Sequence, residues 1–369
     1  MNPLNSDPVA GAEAPERPES QVAESSYLVP GVDTAQLTSW LTTLVPDASA
    51  PLEAQRIGFG QSNLTYVLSD AAGQRWVLRR PPMGDLLHSA HDVLHEARIL
   101  SALGPTDVPV PRIYGVAETG EVGDGPVVLM EFVDGVVISE VAASRMLPEH
   151  ARYRAGIALP ETLGRIHAVD LSAVNLTDLA SHSPYAQRQL KRWSSQWEHS
   201  KTRELMDLDL LTDRLRAAVP PARELALVHG DMHIRNIVVD AADGEIQATL
   251  DWELATLGDP IADLGTTLAY WPEGNETILP EFRGLLLPGY PRRAELVERY
   301  CLTTGRDVTD PELAFWHALA LWKIAIIAEG ILRRAQQDSR NRASSGVPVE
   351  ETVTDLVALA HDIAKRAGI

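Results

Sequence analysis

Hydrophobic and polar positions change their spacing several times along this chain. Leu37, Trp40, Leu41 and Leu44 recur at helical intervals behind Asp33, a side chain suited to capping a helix N-terminus. From residue 57 to residue 68 the pattern reads strand, turn, strand. Gly58 and Gly60 permit a tight turn there, and Gln61, Ser62 and Asn63 bring polar atoms to it. A turn over residues 70–73 leads to a further strand at 76–79. Alternation puts Val77 and Arg79 on one face of that strand and Leu78 and Arg80 on the other. Residues 90–103 return to a helical period through Val93, Leu94, Ala97, Leu100 and Leu103. Pro109 and Pro111 keep residues 108–115 extended, and residues 127–133 form an apolar strand that runs out at Asp134-Gly135.

Beyond Pro148 the helical period dominates. One helix carries residues 162–168. Another spans 185–197, with Arg188 and Arg192, and Trp193 and Trp197, each four residues apart. A third begins near Pro260, and residues 291–369 are mostly helical. Residues 313–332 are largely apolar but include His317, Lys323 and Glu329, so the run reads as a buried helix and not as a membrane span. Two β-branched runs, 237–240 and 246–250, flank Ala241-Ala242-Asp243-Gly244. Asp-Gly between such runs predicts a hairpin, because glycine reaches positive φ without steric cost. Residues 339–348 form a polar loop. Residues 1–26 are rich in Pro, Glu, Ser and Ala and predict a disordered acidic tail. The pattern as a whole is α+β, with strands early and helices late.

Composition narrows the partners. A net charge of −19 on 369 residues argues against broad contact with nucleic acid or an anionic membrane, since both require a basic face. The single cysteine, Cys301, excludes a disulfide within the chain and fits a reducing compartment. With no leader-like segment visible either, a cytoplasmic location is expected. His88, His91 and His95 are spaced along one helix, but no cysteine or second cluster completes a zinc set. Solvated or capping histidines are the preferred reading.

The hairpin concentrates the chemistry. Asn236 precedes its outgoing strand and Asp251 follows its returning one, so the two should be neighbours, with Asp231 on the same loop as Asn236. Hard oxygen donors of this kind suit Mg²⁺ shared with nucleotide phosphates, and the remaining carboxylate is free to accept a proton. Phosphoryl transfer from ATP needs that arrangement.

His229-Gly230-Asp231, with Asn236 five residues on and then Asp251-Trp252-Glu253, Asp259 and Asp263, resembles the aminoglycoside phosphotransferase family and its choline, homoserine and fructosamine kinase relatives. The Asp-Trp-Glu form is similar to the kinase-like domain fused to certain acyl-CoA dehydrogenases. The resemblance implies a bilobal protein-kinase-like fold, with a small antiparallel-sheet N-lobe over 27–133 and a larger, mainly helical C-lobe over 134–369. It implies Asp231 as the base, and Asn236 and Asp251 as Mg²⁺ ligands. Gly58, Gly60 and Ser62 would then cover ATP phosphates, and Arg79, in the place of the usual Lys, would pair with Glu96. Glu131, Phe132 and Val133 would offer backbone to adenine. Asp263 is expected to brace the catalytic loop, and His229 to hold it through a backbone hydrogen bond.

Arg192, Trp193 and Trp197 are expected near the acceptor, although two core tryptophans beside a solvated basic edge would explain them equally. Glu253 could serve metal, acceptor or only a helix N-terminus. The small-molecule acceptor implied is a hydroxyacyl-CoA or related metabolite. An aminoglycoside-type antibiotic kinase and a pseudokinase-like binding module, favoured by Arg79 and by Trp252-Glu253, are the alternatives.

Overall fold

A computed structural model describes residues 28–58, 63–82, 93–181, 183–274, 276, 279–337 and 347–369. The expected tail, Gly60, Ser62, His88, His91 and most of the 339–348 loop lie outside them. Helix α1 (Thr34–Leu44) starts as its sequence predicts, with Asp33 Oδ1 accepting the Gln36 N–H at 2.8 Å.

Strands β1 (Glu53–Ile57), β2 (Leu64–Ser69) and β3 (Arg75–Arg80) lead to α2 (Val93–Leu103), then β4 (Ile113–Ala117) and β5 (Val127–Glu131). They form one antiparallel sheet in the order β1-β2-β3-β5-β4. Alternation gives this sheet two different faces. Leu68, Trp76, Leu78, Val127 and Leu129 pack with Leu37 and Leu41 of α1. Val128 and Met130 face the other way, with Val93, Ala97 and Leu100 of α2, and that cluster continues into the helical half. The seam between the halves is therefore built against one face of β3, the face that carries Arg79.

The second half runs through β6 (Val136–Val137), α3 (Val141–Met146), α4 (Glu149–His167), α5 (Tyr185–Ser200) and α6 (Met206–Ala217). Strands β7 (Ala226–Val228), β8 (Ile237–Val239), β9 (Ile246–Thr249) and β10 (Thr256–Gly258) follow. Helices α7 (Pro260–Ala269), α8 (Arg293–Thr304), α9 (Asp310–Gln337) and α10 (Glu350–Arg366) complete it. Helix α9 is long and apolar enough to cross a bilayer, yet 78% of its most apolar stretch is buried inside the protein. Phe315, Trp316, Leu321, Trp322 and Ile326 make it the centre of the helical core, between α5, α6, α7 and α10.

The predicted hairpin forms. Ile237 pairs with Thr249 and Val238 with Ala248, and the turn closes through Asp240 N–H to Glu245 O at 2.9 Å. Gly244 has φ +80°, and a Cβ there would lie 2.0 Å from the Ala151 carbonyl of α4, so only glycine fits. The β7–β10 pair aligns Val228 with Thr256, which brings the loop after β7 and the loop before β10 to one end. Those loops carry Asp231 and Asp251.

Candidate active site

The loop leaving β7 is fixed mainly through its backbone. Gly230 sits at φ +83°, and a Cβ there would stand 2.8 Å from the Leu254 carbonyl. Asp263, on α7, accepts the N–H of His229 at 2.6 Å and of Gly230 at 2.8 Å. Its own partner is His167 Nε2 at 3.3 Å, and His167 Nδ1 meets the Tyr300 hydroxyl at 2.9 Å. Burial alone would raise the Asp263 carboxyl; the bond and charge of His167, with His229 and the Gly230 N–H, together outweigh it and hold the group below its ordinary value. Asp263 thus braces the loop.

Burial lowers the pKa of His229 and favours the neutral ring. One tautomer then satisfies both nitrogens: Nε2–H donates to Leu250 O at 2.9 Å, and Nδ1 accepts the Asp231 N–H at 3.3 Å. Asp231 has His233 Nε2 at 3.5 Å from Oδ2. Asn236 Nδ2 donates to the Asp231 carbonyl at 3.0 Å. Burial would raise the Asp231 carboxyl, but His233, then Lys323 and His229, hold it well below the usual carboxylate range. The group is ionised and able to accept a proton.

Across the seam the contacts are ionic. Arg79 has its Nε 3.0 Å from Glu96 Oε2, its Nη2 2.6 Å from Asp251 Oδ1 and 3.9 Å from Glu253 Oε2. The contact with Glu96 is an ion pair and not a hydrogen bond, since neither atom gains a hydrogen-bond partner. Arg80 points to the α1 face and pairs with Asp124 at 2.6 Å, so strand alternation alone puts Arg79 at the seam.

Burial pushes Glu96 up to about 7 against the pull of Arg79. Burial and then the Asp251 charge push Glu253 up to about 7 as well. Asn63 Nδ2 donates to Glu253 Oε2 at 3.2 Å, tying the start of β2 to the loop of Asp251 and Glu253. Asp251 occupies the left-handed region, φ +66° and ψ 57°, a conformation that non-glycine residues hold only when their surroundings impose it.

The donor set fits a hard divalent cation. Asn236 spends its Nδ2 on Asp231, leaving an amide oxygen, and Asp251 adds a carboxylate. Among the described residues no three His, Cys, Asp or Glu side chains are placed to hold a metal by themselves. Two protein oxygens completed by phosphates and water are what Mg²⁺ takes in nucleotide sites.

The other expected residues divide. Gly58 has φ +77°, and no described residue comes within 4 Å of where its Cβ would be, consistent with a turn that approaches a ligand. Of the Glu131 backbone groups, the N–H is donated to Arg112 O at 2.8 Å. The Phe132 ring lies under the Arg75 guanidinium at 4.0 Å, and Val133 is half-buried beyond it. Trp197 is corrected to a core residue: only 3% exposed, it packs inside the helical cluster and cannot reach an acceptor. Trp193 is half-buried and borders a narrow cavity with Gly230 and Lys323; Arg192 is exposed, its guanidinium 5.5 Å from the Trp193 ring.

A cavity of about 210 Å³ opens beside Asp231, lined by His233, Arg235, Glu281, Phe282, Ile324 and Ile327 among others. Of these, only Asp231 carried a sequence signal. His233 and Arg235 share the Asp231 loop, while Glu281, Phe282, Ile324 and Ile327 come from the segment after α7 and from α9, whose apolar pattern reads as plain core. Lys323 was passed over for the same reason.

Residues 53–296 match the model of the Phosphotransferase enzyme family, APH. The chain is 32% identical over 327 residues, 87% of its length, to acyl-CoA dehydrogenase family member 10 of Mus musculus, and spans 30% of that relative. A solved structure from Ralstonia eutropha, described as a candidate aminoglycoside phosphotransferase, is 27% identical with a TM-score of 0.72 over 91% of this chain and 99% of that one. A complex of aminoglycoside phosphotransferase APH(4)-Ia with AMP-PNP and hygromycin B has a TM-score of 0.57 at 16% identity, over 90% of this chain and 98% of that one. That last likeness shows the fold alone.

Proposed function

Because the chain belongs to the phosphotransferase enzyme family, we propose that it transfers the γ-phosphoryl of ATP to a hydroxyl of a small molecule, and that this molecule is a hydroxyacyl-CoA or a related metabolite. In this reading the acceptor oxygen bonds to phosphorus as the bond from the γ-phosphorus to the bridging oxygen breaks, and ADP leaves. The acceptor proton passes to Asp231. Asn236 and Asp251 would hold Mg²⁺, which when bound would supply charge to offset the phosphates. Arg79 approaches the phosphates as a planar, always-charged guanidinium and keeps Asp251 turned toward them. Since the transition state of such a transfer is loose, the protein contributes mainly by positioning and charge neutralisation.

The observation that supports the acceptor class is the cavity beside Asp231. Leu279, Phe282, Ile324, Ile327, Ala328 and Ile331 give it an apolar wall. Among the described residues its only carboxylate besides Asp231 is Glu281, which Arg235 meets at 3.7 Å. Arg235 Nε and His233 Nδ1 are buried there with no hydrogen-bond partner among the described residues. An apolar wall with spare polar atoms suits an acyl chain bearing oxygen. A polycationic aminoglycoside would call for several unpaired carboxylates.

The test is Asp231-dependent ADP release with Mg·ATP across hydroxyacyl-CoAs, aminoglycosides, choline and sugars. Stimulation by hydroxyacyl-CoAs is expected. Stimulation by aminoglycosides alone would replace the acceptor assignment. ATP binding with no stimulation by any acceptor would favour a nucleotide-binding module without transfer, the reading that Arg79 in place of Lys favours.

A further inference from the structure

We propose that Lys323, reaching from α9, is a positioning residue for the catalytic base: it clamps the Gly230 carbonyl and thereby sets where the Asp231 carboxylate stands. Its effect on turnover rests on the phosphotransfer reading above; the clamp itself rests on geometry.

Lys323 Nζ donates to Gly230 O at 3.0 Å. That carbonyl belongs to the Gly230–Asp231 peptide, whose N–H goes to His229 Nδ1 at 3.3 Å. The peptide before it is held by Asp263 through the Gly230 N–H. A glycine at positive φ has more backbone freedom than any other residue, so its flanking peptides must be fixed from outside. Asp263 fixes one from α7, and Lys323 fixes the other from α9.

Packing alone would not call for a lysine here. Its neighbours Trp322 and Ile324 are buried, and among the described residues no carboxylate lies within ion-pair distance of its ammonium. Its compensation is the Gly230 carbonyl and the Trp193 ring, whose centroid lies 5.3 Å from Nζ. Burial pulls the Lys323 pKa down, and the nearby Asp231 charge pulls it back. An unpaired ammonium costs desolvation that a methionine of the same reach would avoid, so helix stability does not explain the residue. Hold on the catalytic loop does.

The experiment compares Lys323→Met and Lys323→Arg in the full chain by two readouts. The first is amide exchange across residues 229–236. The second is the kcat and KM for ATP in hydrolysis to water with Mg·ATP. In Lys323→Met, exchange across the loop should quicken roughly tenfold. Its kcat should fall about 10²-fold while the KM for ATP stays within about twofold, the signature of a displaced catalytic group with binding intact. Lys323→Arg should restore most of both. Unchanged exchange in Lys323→Met overturns the clamp, whatever turnover does. If wild type and Asp231→Asn hydrolyse ATP equally, the phosphotransfer reading has failed, and the exchange result alone decides the clamp.

Discussion

The two sides of the seam are held in opposite ways. The Asp231 loop is anchored by hydrogen bonds to its own backbone, from Asp263, His229 and Lys323, each with a defined partner. The Arg79 side has three carboxylates, Glu96, Asp251 and Glu253, around one guanidinium. Two of those carboxyls are pushed up to about 7, first by burial and then by the charge of Asp251. The Asp231 loop is preorganised; under the proposed function, the Arg79 side is the one a cation and phosphates would complete. The difference teaches which mutations should act on turnover and which on nucleotide affinity.

The largest separation is expected from Asp231→Asn. Turnover should fall by about 10²–10⁴, the range for losing a general base, with ATP affinity by calorimetry near wild type. A parallel loss of affinity would mean that the two sides are not independent. Asp263→Asn comes next. It leaves two buried N–H groups with a weaker acceptor, so turnover should drop roughly 10²-fold through loop misplacement and unfolding free energy by about 3 kcal/mol. Arg79→Met should instead raise the KM for ATP about tenfold, the equivalent of about 1.4 kcal/mol, and Arg79→Lys should lose less. If kcat falls in Arg79→Met while KM holds, the contrast is broken.

The smallest effect is on acid stability. Although burial pulls the other way, His167, with His229 and the Gly230 N–H, holds the Asp263 carboxyl below its ordinary value, so the folded chain binds that proton more weakly than the unfolded one. Its contribution is present above about pH 4 and is lost as the pH falls below that. A plot of melting temperature against pH should therefore fall less steeply at its acid end in Asp263→Asn than in wild type.

Local patterns were legible wherever neighbours in sequence decide the outcome. Asp33 caps α1, Asp243-Gly244 turns the hairpin, and Arg79 and Arg80 part to opposite faces because a strand alternates. Trp193 and Trp197 could not be told apart, because both lie four residues from a suitable partner on an amphipathic helix. Only packing shows Trp197 inside the core and Trp193 at its edge. Likewise nothing along the chain shows that Arg112 takes the Glu131 N–H; that follows from the sheet order.

By itself the sequence determined the hairpin, the loops at its mouth and the residue types at that mouth, since turn chemistry and short-range periodicity act over a few residues. Only the tertiary structure decided what surrounds them. Asp251 meets Arg79 from 172 residues away, Glu253 meets Asn63 from 190, and Lys323 meets Gly230 from 93. Those contacts depend on how the two halves and α9 close over the seam, and no spacing along the chain encodes that closure, because burial of the whole core drives it.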